Sequence, residues 1–126
     1  MLKIEHLSKR YGNSSIKSVD DLSIELKPGE VFGFLGPNGA GKSTTIKSIV
    51  GILPFEGKIE ICGEDLVKSP LKAKMNIGYV PDNHAVFERL TGREYVNHIA
   101  NIYGVDPKQT EEIIIAFLNI INLLNI

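Results

Sequence analysis

The 126 residues hold 14 Lys and Arg against 15 Asp and Glu, a formal net charge of -1, with 43% hydrophobic and 23% charged residues. That balance suits one soluble globular domain and excludes a disordered chain or a basic nucleic-acid-binding surface, so no nucleic-acid partner is expected. One cysteine, Cys62, can build neither a disulfide framework nor a zinc site, so a reducing cytosol is the expected setting.

In chain order, Leu2, Ile4 and His6 alternate with Lys3 and Glu5, which predicts an exposed strand. The opening "MLKIEHLSKRYG" lacks the apolar core of a signal peptide. "SIEL" at 23–26 alternates as well and stops at "KPGE", a Pro-Gly turn. The run "VFGFLG" that follows predicts a strand buried on both faces of a parallel sheet. "KSTTIKSIVGI" predicts a helix with Ile46, Ile49 and Val50 on one face and Gly51 as its stop. "GKIEIC" at 57–62 predicts a strand turning at "CGED", and a short helix is expected over 69–75. "IGYV" at 77–80 reads as a buried strand halted by Pro81.

Thr91 and Glu94 have the spacing of a capping box, opening a helix that ends near Gly104. Asp106 caps a last helix with Pro107 at its first position, and Ile114, Phe117, Leu118, Ile121 and Leu124 form an apolar stripe expected in the core. The longest apolar stretch, "IIIAFL" at 113–118, falls far short of the roughly 18 residues of a membrane span, so any membrane role runs through a partner.

Between the buried run and its helix lies "GPNGAGKSTT" at 36–45. Gly36, Gly41, Lys42 and Ser43 satisfy G-x-x-x-x-G-K-[ST], with a predicted strand before and a helix after. A nucleoside triphosphate is multiply negative, so backbone N–H groups must converge on it, and glycines permit that path. The positive end of the helix dipole adds to the attraction. Candidate ATP-binding residues are therefore Gly36, Pro37, Asn38, Gly39, Ala40, Gly41, Lys42, Ser43 and Thr44. Lys42 is expected at the β- and γ-phosphates, Ser43 on Mg²⁺, and Thr44 on a phosphate oxygen.

Many kinases and GTPases share that loop, but no "N-K-x-D" occurs here. The segment "KPGEVFGFLGPNGAGKSTTIKSIVGILPFEGKIEICGEDL" resembles the Walker A region of the ATP-binding domain of ABC transporters, and the resemblance runs over most of the chain. It implies an α/β P-loop NTPase fold of the ABC type, with an antiparallel β subdomain and the start of a helical subdomain. The nucleotide-binding core would cover about 1–88 and the helical part about 89–126. It further implies that Tyr11, in "SKRYG", stacks on adenine. Other implied features are ATP hydrolysis coupled to transport, a transmembrane permease subunit, a second ATP-binding domain, and a cytoplasmic place on the inner face of the cell membrane. The alternative is a soluble P-loop regulator or enzyme with no permease partner.

The family places a glutamine after "IGYVP", where this sequence has Asp82. An aspartate accepts from metal-bound water but adds negative charge near the γ-phosphate and cannot donate. A rival reading makes "IGYVPD" a Walker B strand with Asp82 on Mg²⁺, against which Pro81 and the family-like "VFERLTGREYV" both argue. Phe87 and Leu90 are read either as part of the permease docking surface or as packing of the following helix. His6, His84 and His98 lack ligand spacing. No "LSGGQ"-like signature, no Walker B Asp-Glu pair and no switch histidine occurs. The resemblance puts all three further along, so the chain is expected to be the N-terminal part of a longer domain, inactive alone.

Overall fold

The structure is a computed structural model and describes residues 1–12, 14–81 and 89–120. It divides into two units, Met1–Tyr79 and Val80–Ile126. The first is built on β1 (Leu2–Arg10), β2 (Lys17–Leu26), β3 (Glu56–Ile61) and β4 (Glu64–Asp65), with helices α1 (Lys42–Ile49) and α2 (Pro70–Lys74). The strands form one antiparallel sheet in the order β2-β1-β3-β4.

β1 is therefore an inner strand, not the exposed one its alternation predicts. Ile4 and Leu7 on it are 2% and 0% exposed. They lie three apart because the strand bulges between them. His6 has φ 55°, which turns its side chain out and Leu7 in. Its N–H donates to Ser23 Oγ at 3.0 Å, and its Nδ1 lies 2.7 Å from Asp21 Oδ1. Gly57 faces the bulge: a Cβ there would sit 2.4 Å from the His6 carbonyl oxygen and 2.6 Å from that of Glu5. Cys62 and Gly63, both at positive φ, form the two-residue turn from β3 to β4, where Ile61 pairs with Glu64.

The core joins Ile4, Leu7, Val19, Ile59, Ile61, Leu66 and Ala73, with Ile49, Phe55 and Ile77 packed at its edge. On α1 the buried residues are Thr45 and Ser48, while Ile46 is exposed. Of the apolar face expected from the periodicity, Ile49 packs against the core and Val50 is half-buried, but Ile46 is turned out. The two hydroxyls can be buried because each donates within the helix, Thr45 to Gly41 O at 3.0 Å and Ser48 to Thr44 O at 2.9 Å. Gly51, at φ 70°, ends the helix: its N–H donates to Ser48 O, and that of Ile52 to Lys47 O.

Two predicted strands are absent. Residues 31–36 and 77–80 form no strand. Val31 is 101% and Leu35 93% exposed, although their run has the composition of a buried strand. A strand inside a parallel sheet exists only when neighbours take up its N–H and C=O groups. The sheet formed by the described residues is wholly antiparallel, and neither segment pairs with it.

The second unit contains α3 (Gly92–Ile102) and α4 (Pro107–Ile120). Thr91 and Glu94 make the expected capping box at the start of α3. Gly104 closes it at φ 67°, with Gly104 N–H donating to Asn101 O and Val105 N–H to Ala100 O. Asp106 Oδ1 accepts from the N–H groups of Lys108 and Gln109 and caps α4. Arg93 on α3 pairs with Glu111 on α4. Of the expected core stripe, Ile114 is buried and Leu118 half-buried, but Phe117 is 60% exposed, so the stripe is covered at only part of its length. Ile121 and Leu124 lie outside the described residues. No helix among the described residues is long and apolar enough to cross a membrane.

Candidate nucleotide-binding site

The approach to the loop begins at the end of β2. Lys27–Glu30 form the expected turn, with Gly29 at φ 81° and Glu30 N–H donating to Lys27 O. The chain then runs through Val31–Leu35, exposed except at the half-buried Phe34, to Gly36. Ala40 N–H donates to Pro37 O, closing a turn around Asn38 and Gly39. Gly39 and Gly41 both take φ 83°, the left-handed region in which a side chain is strained.

The two glycines serve different ends. Around Gly39 nothing lies within 4 Å of a Cβ position, so its side faces open space. At Gly41 a Cβ would lie 2.2 Å from the Ser18 carbonyl oxygen and 3.2 Å from Val19 Cγ2. Gly41 thus lets the loop press on β2, a demand that sequence spacing alone does not reveal.

Gly41 is also the N-cap of α1 and brings no side chain to cap it. The first N–H in the helix to find a helical acceptor is that of Thr45, which donates to Gly41 O at 2.8 Å. The N–H groups of Lys42, Ser43 and Thr44 precede it, in the orphan positions that attract an anion. Lys42 Nζ donates to Gly36 O at 2.5 Å and Pro37 O at 2.6 Å, so the ammonium closes the loop on itself. Ser43 is exposed on the first turn, where its hydroxyl suits a hard, oxygen-seeking cation.

Tyr11 stands just beyond β1 yet joins this site. Its hydroxyl lies 3.2 Å from Thr44 Oγ1, across 33 residues of sequence. The ring is 47% exposed, and Lys9 Nζ stands 5.4 Å from its centroid. Sequence reasoning singled out Tyr11 but not Lys9, although the two lie two residues apart on one side of an extended chain. Asp82, His84 and Phe87 lie outside the described residues. Leu90 is exposed.

The family model for the ABC transporter matches residues 19–125. The chain belongs to the ABC transporter ATP-binding family. It is 44% identical over 106 residues to the linearmycin resistance ATP-binding protein LnrL of Bacillus subtilis, a match covering 83% of this chain and 33% of that protein. Identity to the bacitracin transport ATP-binding protein BcrA of Bacillus licheniformis is 40% over 109 residues, covering 86% and 35%. The human phospholipid-transporting ATPase ABCA7 is 36% identical over 113 residues, covering 89% of this chain and 5% of that protein. A solved structure of the ATP-binding subunit of an ABC transporter superimposes with a TM-score of 0.78 at 32% identity, over 88% of this chain and 46% of that one. This chain thus spans about a third of the length of the bacterial relatives. The α/β core with its antiparallel sheet is that of an ABC-type P-loop domain.

Proposed function

We propose that this chain binds Mg-ATP as the nucleotide-holding part of a transport ATPase. One observation carries the reading: a helix with no capping side chain opens at a loop of left-handed glycines, and a lysine ammonium stands at the loop's mouth. Phosphate oxygens would replace the Gly36 and Pro37 carbonyls as the partners of Lys42 and accept from the first N–H groups of α1. Ser43 would hold the Mg²⁺, which shields the charge between β- and γ-phosphates. Thr44 would donate to a phosphate oxygen, and Tyr11 would stack on the adenine. The reading of Asp82 at a water of the metal rests on its place in the sequence after "IGYVP" alone. Residues of about 1–88 would be the nucleotide-binding core, and about 89–126, which include α3 and α4, the start of a helical subdomain.

Family membership further supports a transmembrane permease subunit and a second ATP-binding domain as partners, with the protein peripheral on the cytoplasmic face of the cell membrane. The matched relatives bear names as different as linearmycin resistance, bacitracin transport and phospholipid transport at 36–44% identity. The transported substrate is therefore not set by the residues they share with this chain. Filter binding of labelled ATP with Mg²⁺ tests the site. Lys42→Ala is expected to lose most of the binding while keeping the circular dichroism of the parent chain. Wild-type affinity in Lys42→Ala would remove the phosphate role from this loop.

A further inference from the structure

Stacking by itself asks only for an exposed aromatic face, and an exposed side chain just past a strand end is free to rotate away. Tyr11 is not free. Ser14 N–H donates to the Tyr11 carbonyl at 3.2 Å, which holds its backbone in a turn. The phenol oxygen meets Thr44 Oγ1 at 3.2 Å. Lys9, half-buried on the inner strand β1, sets its ammonium 5.4 Å from the ring centroid. Backbone, hydroxyl and ring are thus each held by a different partner.

We propose that Lys9 and Thr44 are positioning residues that hold the Tyr11 ring for the base of the nucleotide. This rests on the reading of Tyr11 as the base-stacking residue. The ammonium attracts the electron-rich face of the ring and so fixes its tilt. A base then stacks on the face that Lys9 leaves open. The hydroxyl chemistry divides the work at Thr44. A threonine hydroxyl has one proton to give and lone pairs to accept. With the Tyr11 O–H donating to Thr44 Oγ1, the Thr44 proton remains available to a phosphate oxygen. The ring is thereby tied to the helix that grips the phosphates, and the distance between base subsite and phosphate subsite is set by one hydrogen bond.

The test compares Mg-ATP with Mg-tripolyphosphate, which has the phosphates but no base, by calorimetry on the full chain. Lys9→Met is expected to weaken ATP about two- to fivefold, the scale of an exposed cation–aromatic contact. The loss for tripolyphosphate should be much smaller. Lys9→Arg should restore ATP binding, because a guanidinium also sits well over a ring. Tyr11→Phe, which keeps the ring and loses only its tie to Thr44, should weaken ATP about two- to tenfold. In a Tyr11→Ala background, Lys9→Met should have no further effect on ATP. Equal losses for both ligands, or a full Lys9→Met loss without the ring, would overturn the proposal and leave Lys9 as a plain phosphate-attracting charge. If Tyr11→Ala weakens ATP but Lys9→Met and Tyr11→Phe do not, stacking stands and the positioning role falls. If Tyr11→Ala leaves the ATP-over-tripolyphosphate preference intact, both fall. Unchanged tripolyphosphate binding also certifies that each variant is folded.

Discussion

Gly39 and Gly41 share φ 83° but differ in what surrounds them, and that difference makes a prediction. Alanine at either position bears the left-handed strain of about 1–2 kcal/mol. At Gly41 it must also displace the β2 backbone, since its Cβ would stand 2.2 Å from the Ser18 carbonyl oxygen. Gly41→Ala is therefore expected to lower the melting temperature distinctly more than Gly39→Ala and to abolish ATP binding with it. Equal melting temperatures for the two variants would show that β2 yields easily. Tyr11→Ala is expected to weaken ATP and GTP alike by about 1–3 kcal/mol, because an aromatic face stacks on either purine. Titration with both nucleotides checks this, and a loss for one base alone would contradict simple stacking.

Among the elements, the antiparallel sheet holds the first unit, and Ile59 sits at its centre on β3 at 1% exposure. Ile59→Ala should cost about 2–5 kcal/mol, the range for emptying a packed aliphatic site, read from urea unfolding. A cost below about 1 kcal/mol would mean that the core collapses around the gap. On α3 the Glu94 carboxylate accepts from the Thr91 N–H and hydroxyl, each at 2.8 Å. These bonds, the backbone one first, hold its pKa below the usual glutamate range. A lowered folded pKa means stability that is present above the unfolded pKa and lost as pH falls through the folded one. Helix content in the second unit should accordingly drop on acidification through and below the ordinary carboxylate range. Glu94→Gln should show a smaller drop over the same window by circular dichroism. An unchanged pH profile in that variant would show that the acid sensitivity of α3 does not come from Glu94.

At the scale of the whole molecule, the 126 residues carry the phosphate loop, the lysine and the magnesium-suited serine. In the proposed reading those groups meet the ground state of a nucleotide. Phosphoryl transfer to water also requires a residue that positions the water and charge that meets the transition state. The sequence contains no "LSGGQ"-like signature and no Asp-Glu pair at the end of an apolar run. The purified chain is therefore expected to bind Mg-ATP weakly and not to turn it over. A malachite-green assay showing steady phosphate release that Lys42→Ala abolishes would reverse this and make Asp82 the residue to replace next.

Much of the molecule was legible in the sequence because its determinants are local. The caps at Thr91 and Asp106, the stops at Gly51 and Gly104, and the turn at Pro28 and Gly29 each need only a few neighbouring residues. The glycine loop at 36–45 could be picked out as a candidate for the same reason: its pattern is confined to ten consecutive positions. Contacts between distant segments decided the rest. The bulge at His6 depends on Asp21, Ser23 and Gly57, so alternation along β1 could not announce that Leu7 would be buried in place of His6. The hydroxyl face of α1 was chosen over Ile46 because Thr45 and Ser48 satisfy themselves within the helix and pack inward. Lys9 and Thr44 gained their places beside Tyr11 only when β1 and α1 came together. The apolar run at 31–36 encodes a demand for burial, but a strand also needs partners for its backbone, and no stretch of sequence supplies those to itself.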